Sequence, residues 1–600
     1  MTTYDEDVLQ KYADDPHQQA KWIRVVRDLS FQQRTAFWLV ALVSGLLQSL
    51  ASRFDIGADS LSYLEIGQTY FRGDWKTAIN SYWSPLYSWL IALPLRVFSI
   101  SPYWESTCIN LVNLAIYVFA LFSLEFLLSN FIQSLLRSSK ANGEAPVPAW
   151  AFRLIGYTLF LYSSVAWLGA GYSSPDLLVA AVVMLDVGVI IRIYVDGPTF
   201  ANYAFLGLFL GIGYLAKVVL LPLGLVFLLM SLFAGGISSR TVIRFSLGLV
   251  MFGLVAAPFI YALSVSKNRF CYGDSGKHNY TRYIDGVSFS NYYQRADKRA
   301  GSPLRSIKKL LDDPPTYEIG QPFRASYAPW YDPTYWWEGI VPYWSLRAEI
   351  SAFHQHLHFW YEVVTGQAEF VAGLLTLLLL SRKYLTAAKR LWAEFFIWLP
   401  SVVACIGYSL IHVEVRFLPG FLIVLWLSLF RSVPVPRKNI YPRMVRCVVI
   451  AMAIVVGIRS VRTGVVNLGR ALHARHTSWE VAEQLHRIGV RPRDPVAAIG
   501  FNVEAYWAHL AGVSIVAELT EVGAGTYWVS SSEVRSNVLR VFAQVGAKAV
   551  VCNRTPEYGV PSDWLRVGQS GFFIRGIPDD SLPPAPPPTK NLPRKSPLSP

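Results

Sequence analysis

The sequence predicts a mainly α-helical fold, a bundle of transmembrane helices that carries a small α/β domain near its carboxyl end. Hydrophobic residues make up 53% of the 600 positions and charged residues only 16%, whereas a soluble protein carries about a quarter charged residues. Aromatic residues reach 14%, with 20 Trp, and Trp and Tyr concentrate at membrane–water interfaces. These proportions indicate a multi-pass membrane protein.

The net charge of +14 would favour a nucleic-acid partner in a soluble protein. Here much of the Lys and Arg lies in short connections between apolar runs, where positive charge sets membrane topology. The expected environment is therefore the lipid bilayer, and no nucleic-acid partner is expected.

Eleven apolar runs are predicted to cross the bilayer, because a helix needs roughly 20 mainly apolar residues to do so. They cover residues 35–52, 104–133, 151–170, 176–194, 201–216, 218–234, 243–265, 367–382, 391–411, 416–432 and 447–462. Together with their connections they form a predicted transmembrane domain over residues 35–462, preceded by a cytoplasmic segment, 1–34.

The distribution of Lys and Arg predicts the orientation, since short cytoplasmic loops are enriched in both. With the amino terminus inside, every predicted inner segment is basic: Lys21, Arg24, Arg27, Arg34, Arg137, Lys140, Arg192, Arg240, Arg244, Arg382, Lys383, Lys389, Arg390, Arg431, Arg437, Lys438, Arg443 and Arg446. The carboxyl-terminal region is then expected outside. The predicted location is a cell inner (plasma) membrane, with an outer face that is periplasmic or extracellular.

Three sizeable segments are expected on the outer side. Residues 53–103 include PLYSWLIALPLRVF, which is too short to span and is interrupted by Pro94, as suits an interfacial helix. Residues 266–366 contain the aromatic run YAPWYDPTYWWEGIVPYW. Residues 463–580 alternate helical and strand patterns and predict a small α/β domain. A proline-rich tail over 581–600 is predicted to be disordered.

Individual elements of the α/β domain are predicted from their periodicity. SWEVAEQLHRIGV, EAYWAHLAGV and SSEVRSNVLRVFAQVGA have the helical pattern, whereas PVAAIG, SIVAEL and KAVVCN are typical of buried strands. The GAG at 523–525 does not extend to G-x-G-x-x-G, so no dinucleotide site is expected.

Carboxylates cluster where the chain leaves the first predicted span, in RFDIGADSLSYLEIGQTYFRGDW. Asp55 and Asp59 are four residues apart and would share a face on a helical turn, and the outer loop GYSSPDLLV adds Asp176. Two carboxylates converging from different loops could serve as general base and as metal ligand or transition-state orienter. Asp59 and Asp176 would equally suit helix N-caps, and composition alone leaves both alternatives open.

Basic side chains are predicted at the same depth. Lys217 follows the fifth span, and Arg416 opens the tenth beside Glu414 and His412 in IHVEVRFLPGF. Arginine suits bidentate recognition of a phosphate and lysine acts as a point charge, so these residues are candidate ligands for a lipid phosphate. Snorkelling toward the headgroups is the alternative, above all for Lys217. Tyr63, in the acidic stretch, is a further candidate for substrate binding.

Two other features have competing explanations. In FHQHLHF, His354, His356 and His358 would share a face of a strand and could bind zinc, although an interfacial loop is favoured because no carboxylate or cysteine partner is evident. Asp186 and Glu125 lie inside predicted spans, where carboxylates suggest ion or proton coupling. For both, hydrogen bonding between helices is the favoured explanation.

The acidic stretch, continued by KTAINSYWSPLYSWLIALPL, resembles the first extracytoplasmic loop of the GT-C glycosyltransferases. It is most similar to bacterial members related to protein mannosyltransferases and to the lipid A aminoarabinose transferase. GIGYLAKVVLLP around Lys217 and VEVRFLPGF around Arg416 fit the same family. The resemblance covers about residues 35–435. It implies many spans, an acidic first outer loop with interfacial helices and, often, a carboxyl-terminal extracytoplasmic domain.

This resemblance implies an enzyme that moves a sugar from a polyprenyl-phosphate donor, usually with inversion, to an acceptor outside the membrane. Asp59, with Asp55 as its neighbour, is similar in position to the first-loop Asp that would act as base toward the acceptor hydroxyl. Asp176 is similar to the second-loop acid, which would assist or hold a divalent metal. Lys217 and Arg416 would receive the carrier phosphate.

One departure from the family narrows these expectations. Protein mannosyltransferases have a paired Asp-Glu in the first loop, whereas here Ser60 follows Asp59. That difference weakens the case for a protein acceptor and for a metal. The acceptor class therefore stays open between glycan, lipid and protein, and no cofactor is assigned.

Two other function classes compete with the transferase. A transporter or flippase for an amphipathic, lipid-linked solute would use Asp186 and Glu125 as coupling residues, and would predict broken helices and inverted repeats. The sequence contains no evident internal repeat. A non-enzymatic assembly or sensor protein would use the α/β domain as a binding module, but would leave the carboxylates of the first outer loop unexplained.

Overall fold

The computed structural model describes residues 16–142, 147–287, 299–320, 322–435, 440–554 and 560–578. The chain divides into two compact units, Met1–Ser306 with Pro329–His476, and Ile307–Ala328 with Thr477–Pro600. The predicted tail over 581–600, residues 1–15 of the predicted cytoplasmic segment, and Arg437 and Lys438 lie outside the described residues.

The first unit is built from helices. In chain order they are α1 (Pro16–Ala51), α2 (Ala58–Phe71), α3 (Trp75–Ala78), α4 (Pro85–Val97), α5 (Glu105–Asn142), α6 (Ala149–Ala166), α7 (Asp176–Asp196), α8 (Phe200–Ala216), α9 (Leu220–Gly235), α10 (Ser239–Lys267), α11 (Ser275–Tyr283), α12 (Ala328–Tyr331), α13 (Pro333–Trp336), α14 (Leu346–Gly366), α15 (Ala368–Ser381), α16 (Tyr384–Ala393), α17 (Phe395–Ser409), α18 (Pro419–Ser432) and α19 (Ile440–His473). Short 3-10 turns lie at Pro102–Trp104 and Val415–Phe417.

Each of the eleven predicted spans overlaps a helix. In the described part of the chain, five segments are long and apolar enough to cross a membrane, or up to seven if each of two bent helix pairs is one span. The bends are 71° between α14 and α15 and 84° between α16 and α17. Helices α8, α9 and α18 are apolar but shorter. A multi-pass membrane protein is thus supported, while the count of eleven and the orientation stay predictions.

Two pairs of helices pack closely at glycine residues, α2 against α4 and α18 against α7. A Cβ atom on Gly67 of α2 would lie 2.4 Å from the backbone oxygen of Ser88 in α4. A Cβ on Gly420 of α18 would lie 2.8 Å from the Cα of Ala180 in α7. Both distances are too short for a side chain, so glycine allows each pair of helices to touch. The second contact places the turn before α18 beside the start of α7.

Glu125 ties three helices together, as favoured from the sequence. Its Oε1 accepts hydrogen bonds from Trp38 Nε1 of α1 at 3.2 Å and from the Tyr157 hydroxyl of α6 at 2.6 Å. Arg34 of α1 forms an ion pair with its Oε2 at 3.2 Å. These contacts account for the carboxylate by packing between helices.

Asp186 of α7 differs from Glu125. Its side chain is fully buried, and among the described residues neither carboxylate oxygen has a hydrogen-bond partner. The interhelical hydrogen bond expected from the sequence is therefore not formed within the described part of the chain.

The second unit contains a seven-stranded sheet of order β1-β2-β4-β3-β5-β7-β6. Its strands are β1 (Lys308–Leu311), β2 (Thr316–Glu318), β3 (Pro495–Gly500), β4 (Ser514–Thr520), β5 (Ala549–Cys552), β6 (Leu565–Arg566) and β7 (Phe573–Gly576). Strands β3, β4 and β5 pair in parallel, and the remaining pairs are antiparallel. The helices of this unit are α20 (Thr477–Arg487), α21 (Tyr506–Ala511), α22 (Glu521–Val529) and α23 (Ser532–Gln544).

The six elements predicted for the α/β domain are confirmed as α20, β3, α21, β4, α23 and β5. Two features differ from the expectation. Residues 307–328, predicted as part of an outer loop, supply β1 and β2, and β2 pairs with β4. Helix α19 continues to His473, so the second unit resumes at Thr477 and not at 463.

A carboxylic acid lies inside the sheet of the second unit. Glu518 of β4 is buried and accepts hydrogen bonds from Asn502 Nδ2 at 2.7 Å and from the Tyr327 hydroxyl at 3.2 Å. Burial raises the pKa of Glu518 to about 8, although both hydrogen bonds favour the charged form. At pH values between the ordinary pKa of a glutamic acid and about 8, the carboxyl is therefore protonated in the folded unit and ionised in the unfolded chain.

This proton makes the stability of the second unit dependent on pH. Between about pH 5 and pH 8 the folded state binds one proton more than the unfolded state, so we expect stability to fall by about 1.4 kcal/mol per pH unit and then to level off. Glu518→Gln should remove the slope. Hydrogen–deuterium exchange of β4 in the full-length protein measures the opening free energy. Glu483→Gln, on an exposed helix position, should keep the wild-type slope, and an unchanged slope in Glu518→Gln would contradict the assignment.

Candidate active site

Arg416 is the centre of the polar cluster predicted at the outer face. It lies in the 3-10 turn Val415–Phe417 between α17 and α18. Its Nη1 donates to Asp59 Oδ2 at 2.9 Å and to the Tyr172 hydroxyl at 3.0 Å. Its Nε donates to Glu414 Oε2 at 2.6 Å and lies 3.7 Å from Asp176 Oδ2. One guanidinium thus joins three carboxylates that are far apart in sequence.

Asp59 lies in the first turn of α2, where the N-cap is Gly57. Its carboxylate does not cap the helix. One oxygen bonds Arg416, and the other accepts from Trp330 Nε1 at 3.2 Å. The side chain is 23% exposed, so a substrate can approach it. The capping alternative is therefore wrong for Asp59.

Asp176 is the first residue of α7, with Pro175 as the N-cap and no side-chain capping bond. Its Oδ1 accepts from Lys217 Nζ at 2.5 Å, and its Oδ2 accepts from the Ser174 hydroxyl at 2.9 Å. Capping is again not the role of the carboxylate. Asp176 is nearly inaccessible, at 3% exposure, and instead fixes the ammonium of Lys217.

Lys217 lies in the break between α8 and α9. Besides Asp176, its ammonium lies 3.5 Å from the centre of the Phe417 ring, a cation–π contact. Burial lowers the pKa of Lys217, and the charge of Asp176 opposes that change. The side chain is held inside the cluster and does not snorkel away from it.

Glu414 links Arg416 to His412. His412 Nε2 lies 2.9 Å from Glu414 Oε1, and the imidazole stacks on the Tyr283 ring at 3.7 Å with an interplanar angle of 3°. Burial alone would raise the pKa of Glu414, but hydrogen bonds from His412 and Arg416 and the charge of Arg416 lower it to about 2. Glu414 is consequently an anion under all physiological conditions.

Of the remaining predicted residues, Tyr63 belongs to the cluster and Asp55 does not. Tyr63 is buried, and its pKa is raised well above the ordinary value by burial and by the charges of Asp59 and Asp176. Asp55 lies in the turn before α2, not on a shared helical face with Asp59, and is exposed. Burial of part of its surface raises its pKa, and the neighbouring charge is Arg470. The expected pairing with Asp59 is not formed.

An apolar groove of about 380 Å³ lies between α14, α17 and α18. Its walls include Phe353, Leu357 and Trp360 from α14, and Ile406 and Leu422 from the other two helices. His356 of α14 also lines the groove. Ser409 and Leu410, which also line the groove, lie three and two residues before His412 in the chain.

The described residues do not fit a metal centre. His354, His356 and His358 lie on helix α14 and not on a strand, so they do not alternate on one face, and His358 pairs with Glu362. Within the described ranges no group of three or more His, Cys, Asp or Glu side chains is placed to hold a metal ion.

Three contributors to the cluster were not singled out from the sequence: Tyr172, Trp330 and Phe417. They lie in GYSSPDLLV, in the aromatic run YAPWYDPTYWWEGIVPYW and in VEVRFLPGF, respectively. The sequence shows in each case an aromatic residue close to a polar residue at the predicted membrane surface. It does not show which aromatic ring contacts which charged side chain.

The ion pair between Lys217 and Asp176 makes a testable contribution to stability. Removing one partner of a buried pair typically costs about 3–5 kcal/mol because a buried charge stays behind, and we expect Lys217→Met to show a loss of that order. Unfolding in mixed SDS–detergent micelles measures it. Lys217→Met combined with Asp176→Asn should recover most of the loss, and a double variant no more stable than the single one would contradict the pairing.

Comparison with known proteins identifies the fold. No family model and no curated protein sequence match this chain. Its structure is similar to that of ArnT from Cupriavidus metallidurans bound to undecaprenyl phosphate, with a TM-score of 0.52 and 12% identity over 92% of this chain and 99% of ArnT. An oligosaccharyltransferase of Archaeoglobus fulgidus has a TM-score of 0.44 and 12% identity over 86% of this chain and 67% of its own. The chain therefore shares the fold of ArnT, in agreement with the fold expected from the sequence.

Proposed function

We propose that this protein is an integral membrane glycosyltransferase that moves a sugar from a polyprenyl-phosphate donor to a hydroxyl-bearing acceptor outside the cytoplasm. The observation that carries the proposal is the cluster around Arg416, in which cations suited to a phosphate lie beside an accessible carboxylate. The fold shared with ArnT, which binds undecaprenyl phosphate, supports the same class of donor.

The donor is proposed to bind with its phosphate at Arg416 and Lys217. The apolar groove beside His356 has the shape and chemistry for part of the polyprenyl chain. A lipid-linked donor keeps its phosphate at headgroup depth, which is the depth predicted for the cluster. Arginine and lysine favour a phosphate that gains charge as it departs.

Asp59 is proposed as the general base. The acceptor oxygen attacks the anomeric carbon and loses its proton to Asp59 Oδ2, while the bond between that carbon and the phosphate oxygen breaks and the carrier phosphate leaves. Attack opposite the leaving group inverts the anomeric configuration. Without donor, Arg416 occupies Oδ2. A donor phosphate that draws Arg416 away would free this oxygen. Asp59 would then become available as a base only when the phosphate leaving group is in place.

The remaining polar residues have supporting roles in this proposal. Asp176 holds Lys217, and Glu414 holds Arg416. Tyr63, on the same helix as Asp59, packs against the rings of Trp83 and Tyr87. We propose no step for a divalent metal.

The decisive experiment offers the purified protein, in nanodiscs, a panel of polyprenyl-phosphate sugars and measures release of carrier phosphate with a mixture of extracytoplasmic acceptors. Release with at least one donor, and none with nucleotide sugars, is expected. Absence of release with every donor, together with uptake of a lipid-linked solute into vesicles, would contradict the transferase and favour a transporter.

A further inference from the structure

The carboxylate of Asp59 accepts a hydrogen bond at each of its two oxygens. Within the described part of the chain, Oδ2 accepts from Arg416 Nη1 at 2.9 Å and Oδ1 accepts from Trp330 Nε1 at 3.2 Å. In the proposed reaction the donor phosphate draws Arg416 away from Oδ2. Of these two donors, only Trp330 then still bonds the carboxylate, and it bonds the oxygen that does not take the proton.

Trp330 is itself anchored to the segment that carries Asp59. Its backbone oxygen accepts hydrogen bonds from the Ser62 hydroxyl at 2.9 Å and from Trp83 Nε1 at 3.1 Å. Ser62 and Asp59 lie three residues apart on α2 and therefore share a face of that helix. One helix thus contacts Trp330 twice, at its main chain through Ser62 and at its indole through Asp59.

Aromatic neighbours restrict the orientation of the indole. The ring of Trp330 lies 5.8 Å from the ring of Trp83 and 6.2 Å from that of Tyr82, between ring centres. The backbone oxygen of the next residue, Tyr331, accepts from Asn80 Nδ2 at 2.7 Å. The direction of the indole N–H is therefore set before any substrate binds. A carboxylate, by contrast, turns about a torsion with only a broad preference, so a fixed donor is needed to orient it.

We propose that Trp330 is a positioning residue, which orients the Asp59 carboxylate for proton abstraction once Arg416 has moved to the donor phosphate. This inference rests on the proposed function. A displacement of about 1 Å at a reacting group can cost about 100-fold in rate, so loss of the indole N–H should lower turnover by about 10- to 100-fold. The donor phosphate is assigned to Arg416 and Lys217, so donor affinity should not change.

Trp330→Phe in the full-length protein in nanodiscs tests the proposal, because it keeps an aromatic ring and removes the N–H. We expect kcat for release of carrier phosphate to fall by about 10- to 100-fold. Binding of undecaprenyl phosphate, measured by isothermal titration calorimetry, should stay within about twofold of the wild type. Weaker binding in proportion to the lost turnover would instead indicate a general disturbance of the site and overturn the inference.

A double-mutant cycle shows whether Trp330 acts through Asp59. Two substitutions that impair the same function are strongly non-additive. In the Asp59→Asn background, where the base is absent, Trp330→Phe should therefore lower the remaining transfer by less than about twofold. A purely structural role would give the same loss in both backgrounds, and that result would overturn the inference.

A second variant keeps the test decisive if Trp330→Phe does not fold. Genetically encoded 3-benzothienylalanine at position 330 retains both rings and replaces only the N–H by sulfur, and it should show the same loss of kcat. Trp398→Phe removes an indole N–H that donates to the Leu391 oxygen at 2.8 Å and should leave transfer within about twofold. Wild-type turnover in the benzothienyl variant would overturn the inference alone. No transfer by the wild type with any donor would contradict the proposed function, and the inference with it.

Discussion

Replacing Asp59 by Asn is expected to reduce sugar transfer by about 100- to 10,000-fold, the range that a positioned general base contributes. The amide keeps the size of the side chain and its oxygen can still accept from Trp330. It cannot take the proton of the acceptor hydroxyl, and it leaves Arg416 without the anion that it contacts at 2.9 Å. Initial rates of transfer in nanodiscs, at saturating donor, measure the loss.

Controls separate this chemical effect from a loss of folding or of donor binding. Asp55→Asn removes a carboxylate from the same stretch, but Asp55 is exposed and faces Arg470, so we expect transfer within about twofold of wild type. Donor binding by Asp59→Asn should persist, because the phosphate is assigned to Arg416 and Lys217. Undiminished transfer by Asp59→Asn would remove Asp59 as the base.

The apolar pattern of the sequence was sufficient to predict the helical architecture. Runs of apolar residues are local signals, and a helix satisfies its own backbone inside a membrane. The six predicted elements of the α/β domain were recognisable for a similar reason, since each has its own periodicity. Strands β1 and β2 escaped prediction because they lie in a segment nearly two hundred residues before β4, the strand with which β2 pairs. The pairing of β2 with β4 depends on tertiary structure, and the local sequence pattern of β2 does not reveal it.

The membership of the active site was only partly predictable. Asp59, Asp176, Lys217, Glu414 and Arg416 were noticed as polar groups at one predicted depth, and the structure brings them together. Asp55 was paired with Asp59 on the assumption of a continuous helical turn. The helix begins at Ala58 instead. Partners such as Trp330 come from distant loops, so only tertiary packing determines which aromatic residue meets the carboxylate.

Arg416→Lys is expected to lower the rate of transfer by about 100- to 1,000-fold, although the positive charge is retained. The arginine bonds Glu414 through Nε and bonds Asp59 and Tyr172 through Nη1. An ammonium is a single point of charge and cannot reproduce that fork. Losing one preorganised donor at a developing oxyanion typically costs a factor of this size.

The substitution also tests whether geometry or charge dominates at this site. If Arg416 acts only as a positive charge, lysine should preserve both donor binding and transfer. If it positions the phosphate and releases Asp59 on binding, the turnover number should fall more than the donor affinity. Arg192→Lys makes the same change in an exposed ion pair with Asp196 and should leave transfer within about twofold. Near-normal turnover in Arg416→Lys would contradict the coupling of base and leaving group, because that coupling requires the guanidinium to exchange Asp59 for the donor phosphate.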